Sequence, residues 1–205
     1  NFISGESLHP IYIDLLAIPN IPQNLQDQIK MKMKEFEAIP HNNLGYFKNP
    51  MNSIEYNYPA VYSFKIQCLK QIYSGVNLNS DEKFHKFVED NEQWLPNYSL
   101  FCYFRDKYKT KDFTKWTEYP NFISSRESKM IQAEHLEDLK FYYWVQYICF
   151  TQLINARDYA ENHGIVLEGE ISLNTHYHSV SVWMNHGLFN TEMRAGNVPS
   201  SENLS

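Results

Sequence analysis

The chain has 205 residues, of which 43% are hydrophobic and 16% aromatic, and this composition excludes a disordered protein. Its formal net charge of −6 gives no basic surface, which argues against a nucleic acid or an anionic membrane as a partner. No run of about 18 apolar residues occurs, so we expect no membrane span. No secretory signal is visible, and the widely spaced Cys68, Cys102 and Cys149 predict buried free thiols in a reducing, cytoplasmic compartment.

The first predicted elements are an extended segment and an amphipathic helix. Residues 1–22 are predicted to be extended or strand-like, because apolar and polar side chains alternate over residues 11–15. A helix is predicted over residues 23–39, where apolar side chains recur at helical spacing. A loop rich in Asn, Pro and Gly follows over residues 41–58, and Pro59 is expected to be the first residue of the next helix.

Helical patterns dominate the rest of the chain. Ser80 is the expected N-cap of one helix, residues 98–108 form another, and residues 127–162 form the longest pattern, read as two helices in line. Gly164 is a helix stop signal, and residues 165–167 have the continuous apolar character of a strand buried on both faces. The side chains expected on the inward face of the long pattern are Leu136, Leu139, Tyr143, Tyr147, Phe150, Ile154 and Tyr159.

Three segments carry a resemblance to a known family. They are SLHPIYIDLLAIP at residues 7–19, a segment at residues 84–116 with the pattern N-x-x-W-L-x-x-Y-x-x-F-x-x-x-R-D, and FYYWVQYICFTQLINARDYAENHGIVLEGE at residues 141–170. In this order and at this spacing they resemble the 4-alpha-glucanotransferases, which are the amylomaltases and disproportionating enzymes of glycoside hydrolase family 77. The resemblance points in particular to the cytosolic plant-type branch.

The resemblance implies an α/β fold: a helix-rich part of a (β/α) TIM barrel with a helical insertion, not a closed eight-stranded barrel. A complete barrel typically needs about 250 residues. We therefore expect a single domain over residues 1–205. Within it, residues 1–22 would be the extended segment, 23–162 the helical insertion, 163–200 a barrel strand and its loop, and 201–205 a frayed tail.

The family signature is only partly present. The family reads G-D-x-P-I, then S-x-D-x-W, then A-G-A-P-P-D, and the matching positions here are Gly169, Ser179, Trp183, Ala195, Gly196 and Pro199. The replaced positions are Glu170, Ser172, Ser181, Asn197, Val198 and Ser200. In the family, the nucleophile, the acid/base and the stabilising carboxylate come later in the sequence. No position of this chain matches them, so no catalytic residue is predicted.

Four residues are candidates for a vestigial glucan-binding site. Glu170 follows the predicted strand, where barrels place their chemistry, but the alternative is a solvated or ion-paired acid. Its carboxylate lies one methylene further out than that of Asp, and a displacement of about 1 Å can cost on the order of 100-fold in rate. His176 and His178 could be metal ligands or ordinary loop histidines. Trp183 could stack on a sugar ring or pack in the core.

No metal or other cofactor is predicted. A lone H-x-H lacks the third and fourth ligands and the supporting contacts that a metal site needs. Glycoside chemistry needs two carboxyl groups roughly 5 to 9.5 Å apart across one bond, and no such pair is indicated. Arg105 and Asp106 are predicted to form a structural ion pair. The aromatic side chains of residues 101–116 are predicted to be core.

Three functional hypotheses follow. The first is a non-catalytic, degenerate relative of the 4-alpha-glucanotransferases with a structural or interaction role and protein partners in a larger assembly. The second is the N-terminal part of a divergent active enzyme that transfers alpha-1,4-glucan segments. The third is a module that binds alpha-glucan without turnover. The first is preferred, because truncation of an active enzyme would explain the missing carboxylates but not the altered signature.

Overall fold

The structure, a computed structural model, describes residues 3–39, 57–120, 123–169 and 175–193. The α-helices in these ranges are α1 (Gln23–Glu37), α2 (Tyr58–Tyr73), α3 (Glu82–Asp90), α4 (Leu95–Tyr108), α5 (Ser125–Glu134), α6 (Leu136–Asn162) and α7 (Val180–Met184). Short 3₁₀ turns lie at Pro10–Tyr12, Leu15–Ala17, Phe113–Lys115 and His186–Leu188. These described ranges contain no β-strand and no closed barrel, and the helix-rich expectation is confirmed.

The helix predictions hold, with small shifts at the helix ends. Helix α2 begins one residue before Pro59, and the long pattern is indeed two helices, α5 and α6. The predicted cap at Ser80 is wrong, because the Asp81 side chain accepts the Phe84 N–H at 2.9 Å and is itself the N-cap of α3. Helix α5 begins with a complete capping box made by Ser124 and Glu127, which the sequence patterns did not bring out.

The segment predicted to be extended or strand-like over residues 11–15 forms no strand. Two 3₁₀ turns lie at Pro10–Tyr12 and Leu15–Ala17, and Ile13 and Asp14 between them have extended backbone angles. Glutamine side chains of α6 form the backbone hydrogen bonds that a neighbouring strand would otherwise form. The Gln146 amide accepts from Leu8 N–H and donates to Leu8 C=O, both at 2.9 Å. The Gln152 amide pairs in the same way with Asp14, again at 2.9 Å in both directions. The backbone groups of this segment are therefore satisfied without a sheet.

A buried lysine completes the support of this segment. Lys65 on α2 donates from Nζ to the carbonyls of Ile11 and, at 2.8 Å, Ile13. Burial lowers the pKa of Lys65, an effect opposed by the nearby Asp14 carboxylate. Two backbone carbonyls thus provide the ammonium group with partners in a site from which most water is excluded.

The helix stop predicted at Gly164 is confirmed, but the strand after it is wrong. Gly164 has φ +71°, and the Ile165 N–H donates to Ala160 C=O at 2.9 Å while the Gly164 N–H donates to Glu161 C=O at 3.0 Å. This pair of bonds is a Schellman motif. Residues 165–167 then run as irregular chain, with Ile165, Val166 and Leu167 exposed by 55%, 89% and 53%.

The chain folds as two compact units. The first unit comprises Asn1–Ser7, Gln93–Leu139 and Glu168–Ser205, and the second comprises Leu8–Glu92 and Lys140–Leu167. In the first unit, α4 packs against α5 and α7. In the second unit, α2 packs against α1 and the two 3₁₀ turns at residues 10–17.

The predicted inward face of residues 136–159 is right only in its middle. Leu139 and Tyr143 are buried, and Tyr147 and Phe150 are half-buried. Three residues at the ends of the pattern are exposed instead: Leu136, Ile154 and Tyr159. Helical periodicity identifies the stripe but does not show where the packed neighbours of the helix stop. Among the described residues, no helix has both the length and the apolar character that crossing a bilayer requires.

The predicted buried thiols are confirmed. Cys68, Cys102 and Cys149 are all buried and free. Burial raises the pKa of Cys102 to about 11 and that of Cys149 to about 12. Neither thiol is poised to act as a nucleophile, because the thiolate is the reactive form.

Replacing Gln146 by Leu should lower the free energy of unfolding by about 1–3 kcal/mol, because the N–H and C=O of the half-buried Leu8 would lose their partners. Chemical denaturation measures the loss. Gln67→Ala, on the exposed side of α2, is the matched control and should change stability by about 0.5 kcal/mol or less. Equal effects of the two substitutions would contradict the supporting role of the Gln146 side chain.

Alkaline pH should destabilise the protein through its buried thiols. Because the pKa values of Cys102 and Cys149 are raised in the folded state, their contribution is complete below the unfolded value near 9. It is lost as the pH rises towards 11–12, by about 1–2 kcal/mol per thiol at pH 10.5. Thermal melts from pH 7.5 to 10.5 should fall less steeply for the Cys102→Ala/Cys149→Ala double variant. Tyr143, whose pKa burial raises to about 12, accounts for part of the remaining slope. Parallel slopes for the parent and the variant would contradict this expectation.

Candidate functional site

Three of the four candidate residues lie in the described part of the first unit. His176 and His178 lie in the turn that leads into α7, and Trp183 lies within α7. Glu170 lies outside the described residues. The geometry of the candidate site therefore starts from α7 and the turn before it.

Helix α7 is fixed at its N-terminus by a side-chain cap and a backbone contact. The Ser179 hydroxyl accepts the Val182 N–H at 3.3 Å, and the Val180 N–H donates to Ile3 C=O at 2.8 Å. Ser181, where the family signature has an acidic residue, accepts through its carbonyl from Asn185 N–H at 3.0 Å. Ser179, a matching position of the signature, thus has a defined structural task.

Trp183 is fully buried at the centre of an aromatic cluster. Its ring meets Trp116 edge-on, with centroids 5.4 Å apart, and also contacts Phe101 and Phe104 at 5.6 and 6.2 Å. Its indole N–H donates to Tyr119 C=O at 3.3 Å. Both parts of the indole are therefore satisfied within the first unit. Packing accounts for this residue, and contact with a sugar stays a prediction.

The aromatic side chains of residues 101–116 form the rest of this cluster, as the core interpretation predicts. Phe101, Phe104, Phe113 and Trp116 are buried. The Trp116 indole donates to Thr110 C=O at 2.9 Å. The predicted ion pair is also present, since Arg105 Nε lies 2.7 Å from Asp106 Oδ1.

The two histidines support a turn. The His176 ring accepts the His178 N–H through Nδ1 at 3.0 Å, and its Nε2 lies 3.4 Å from Lys111 Nζ. His178 Nδ1 lies 3.5 Å from Asp112 Oδ1, which is longer than a good hydrogen bond. Between the histidines, Tyr177 stacks on Phe113 with ring centroids 5.8 Å apart.

Asp112 is occupied by local contacts rather than free for chemistry. Its Oδ1 accepts from the Thr114 hydroxyl at 2.6 Å and caps the 3₁₀ turn at Phe113–Lys115. The Thr114 hydrogen bond lowers the pKa of Asp112, and the nearby Lys115 and His178 act in the same direction. Within the described ranges, no three His, Cys, Asp or Glu side chains converge to hold a metal ion.

Sequence reasoning missed the contacts of Lys111 and Asp112 with the histidine turn. The Asp-x-Thr pattern at residues 112–114 is a local signal for a capped turn, because a short acidic side chain accepts hydrogen bonds from groups two residues on. It does not show that this turn meets a segment more than 60 residues later. Only the folded chain brings the two together.

The comparisons with known proteins agree on one family. The model of glycoside hydrolase family 77, described as 4-alpha-glucanotransferase, matches residues 1–203. The 4-alpha-glucanotransferase DPE2 of rice, Oryza sativa subsp. japonica, is 26% identical over 203 residues, which are 96% of this chain and 20% of that protein. The resemblance predicted from the three segments is confirmed, the plant relative included.

Two bacterial relatives extend this likeness. A 4-alpha-glucanotransferase of Clostridium butyricum is 31% identical over 133 residues, which are 65% of this chain and 27% of that protein. A 4-alpha-glucanotransferase of Chlamydia muridarum is 25% identical over 209 residues, which are 99% of this chain and 36% of that protein. The chain thus spans between 20% and 36% of the lengths of these relatives.

Truncating Trp183 should cost far more stability than truncating Ser179. Trp183→Ala empties the centre of the aromatic cluster and should lower the free energy of unfolding by about 3–5 kcal/mol. Ser179→Ala removes one cap and should cost about 1 kcal/mol. Urea denaturation of the whole chain measures both. A loss below about 1 kcal/mol for Trp183→Ala would show that this side chain does not support the core.

Proposed function

The chain belongs to the 4-alpha-glucanotransferase family, and we propose that it is a non-catalytic relative with a structural or interaction role, packed against further protein. The signature positions that match the family support this proposal through what they do here. Ser179 caps α7 and Trp183 fills the core of the first unit, and Gly164, which lies before the signature, ends α6. Within the stretch that does match, Glu170, Ser172 and Ser181 replace the residues of the family signature, which also supports a role other than catalysis.

The observation that carries the interaction role is the exposed apolar run of residues 165–167. Three consecutive aliphatic side chains, Ile165, Val166 and Leu167, are each more than half exposed. Leu153 and Ile154 on α6, in the same unit, are exposed as well. A run of exposed apolar side chains supports the proposal of a surface that further protein covers.

The composition of this run also indicates what covers it. A continuous aliphatic run is typical of a strand with neighbours on both faces. The chain as a whole would then be a helix-rich part of a (β/α) barrel, although residues 165–167 themselves form no strand in the described structure. The buried free thiols fit a reducing compartment such as the cytoplasm.

A second candidate is the N-terminal part of a divergent active glucanotransferase. It is favoured by coverage: the match extends over 96% of this chain but only 20% of the rice relative. In this alternative the covering protein is the remainder of the same polypeptide. Its catalytic carboxylates would act there, on alpha-1,4-glucan.

A disproportionation assay separates the two candidates. The chain alone, incubated with maltotriose, should yield neither glucose nor longer oligosaccharides. It should also yield none when co-expressed with a rice relative from which the matched segment has been deleted. Products from the co-expressed pair, and from neither component alone, would establish the active alternative. Products from the chain alone would overturn the non-catalytic proposal.

A single substitution that introduces a charge tests whether the run of residues 165–167 is exposed. Val166→Lys should leave the free energy of unfolding within about 0.5 kcal/mol of the parent, because the side chain is 89% exposed. It should lower the binding of a dye that reports exposed apolar surface. Met31→Lys, at an isolated exposed position on α1, is the control and should change dye binding much less. A loss of several kcal/mol for Val166→Lys would mean that the run is already buried.

A further inference from the structure

The second unit contains a groove that none of the signature residues lines. It lies between the residue 18–28 segment, where α1 begins, and residues 71–81, which link α2 to α3. Its volume is about 520 Å³. Ligand pockets typically measure about 300–1,000 Å³. The groove is therefore large enough for a few residues of an extended polypeptide.

Apolar side chains make up much of the groove surface. Ile72 of α2 and Trp144 and Ile148 of α6 line the groove and are buried. Leu25 of α1 and Leu78 line it as well but are half-buried, so they keep accessible apolar surface. In an extended polypeptide, alternate side chains point to the same side of the chain. Apolar side chains at alternate positions of such a segment would cover this surface.

Uncharged amides accompany this apolar surface. Asn24, Gln28, Gln71 and Asn77 line the groove. Each carboxamide carries N–H donors beside a C=O acceptor. In an extended backbone, the N–H and the C=O of one residue point to the same side and can be bound together by a neighbour. One carboxamide can therefore bind both backbone groups of one residue in an extended segment.

The same unit already contains two contacts of this kind. The Gln146 carboxamide binds the N–H and the C=O of Leu8, and that of Gln152 binds the N–H and the C=O of Asp14, all at 2.9 Å. In both pairs a glutamine on a helix holds a residue of a segment that forms no strand. These two contacts favour an extended polypeptide over other neutral ligands that an amide could bind.

Two amides of the groove are held in place by a relay of hydrogen bonds. Lys32 Nζ donates to Gln71 Oε1 at 2.6 Å, and Gln71 Nε2 donates to Gln28 Oε1 at 3.1 Å. Beyond this contact, Gln28 keeps its Nε2 donors and one Oε1 lone pair for a ligand. Side chains that are already ordered lose less conformational entropy when a ligand binds. The Gln28 carboxamide is therefore preorganised for binding.

The charges around the groove indicate an uncharged segment. Among the described residues that line it, Asp81 is the one that carries a charge. Its carboxylate caps α3 by accepting the Phe84 N–H at 2.9 Å. An acidic side chain of a partner would lose water here without a cation to pair with, and a basic one would meet a single carboxylate that is already engaged. An uncharged segment avoids both costs.

We propose that this groove binds an extended, uncharged polypeptide segment of a partner, with apolar side chains at alternate positions. A backbone N–H and C=O of the segment would pair with the Gln28 carboxamide, and its apolar side chains would lie against Leu25 and Leu78. This proposal rests on the interaction role proposed above, to which it adds a second surface and the class of partner. It does not involve residues 165–167, so the two surfaces are tested separately.

Panning a phage-displayed library of random nonapeptides on the whole chain tests the proposal, because the library samples the whole class of partner. We expect enrichment of uncharged sequences with apolar residues at alternate positions. The most enriched sequence, synthesised with blocked ends, should bind the parent saturably in isothermal titration. A peptide of the same composition without the alternation should bind at least about tenfold more weakly, because its apolar side chains no longer share one side.

A pair of glutamine variants locates the binding. Gln28→Ala removes one carboxamide and should weaken binding of the synthetic peptide about tenfold, the equivalent of two hydrogen bonds of modest strength. Gln67→Ala, at an exposed position on α2 that does not line the groove, is the matched control and should bind as the parent does. Equal binding by Gln28→Ala and the parent would overturn the proposal.

Three further outcomes of the panning would decide against the groove as a peptide site. No enrichment over phage without a displayed peptide would overturn the proposal. Enrichment of acidic or basic sequences would overturn the uncharged partner. Binding of the peptide that maltoheptaose abolishes would assign the groove to a sugar instead. Val166→Lys should bind the peptide as the parent does, which keeps a failure of this site distinct from a failure of the interaction role proposed for residues 165–167.

Discussion

The second unit depends on two glutamine side chains that take the place of a β-strand. Gln146 and Gln152 of α6 each bind both backbone groups of one residue, Leu8 and Asp14 respectively. We call each of these paired contacts a glutamine clamp. The sequence separation is the same in both clamps, so they hold one segment in a single register along the helix. An unpaired buried N–H or C=O costs about 1–3 kcal/mol. Two side chains here satisfy four backbone groups, those of the half-buried Leu8 and of the exposed Asp14, so this cost applies to them only in part. Lys65 satisfies two further carbonyls.

The glutamine clamps explain why periodicity does not predict the conformation of residues 11–15, although it does predict the helices. The backbone hydrogen bonds of helices α1, α2, α4, α5 and α6 are formed within each segment, so spacing in the sequence predicts them. An alternating segment is stabilised by whatever satisfies its backbone, and that partner lies well over 100 residues away. The same reasoning applies to residues 165–167, where the composition fits a buried strand but the described residues supply no neighbour for it. Gly164 was predictable because a left-handed helix stop is decided locally.

The residues of the candidate site can be named from the sequence, but the contacts that they make cannot. Ser179 and Trp183 match the family signature, and the structure gives them a cap and a core position. The sequence alone does not distinguish a tryptophan that stacks on a sugar from one that packs in the core. Burial depends on residues from other segments, such as Phe101 and Trp116. The sequence also does not show whether His176 and His178 are metal ligands or loop residues. In the structure, their ring and backbone contacts define a turn. Chemistry that needs one arrangement of several side chains is therefore harder to predict than packing, which needs only apolar volume.

The exposed run of residues 165–167 limits how the chain can engage its partner. Burying one aliphatic side chain fully contributes about 1.5–3 kcal/mol, so covering Ile165, Val166 and Leu167 yields roughly 3–6 kcal/mol, since each is already partly covered. Joining two separate proteins costs an estimated 4–15 kcal/mol in lost translational and rotational freedom. The run alone therefore does not hold a separate protein. Either the contact extends over exposed residues of α6 such as Leu153 and Ile154, or the covering segment is tethered in the same polypeptide, where most of that cost does not arise. The first case is an assembly of separate chains and the second is the longer enzyme, so the extent of the interface along α6 is the physical quantity that separates the two candidate functions.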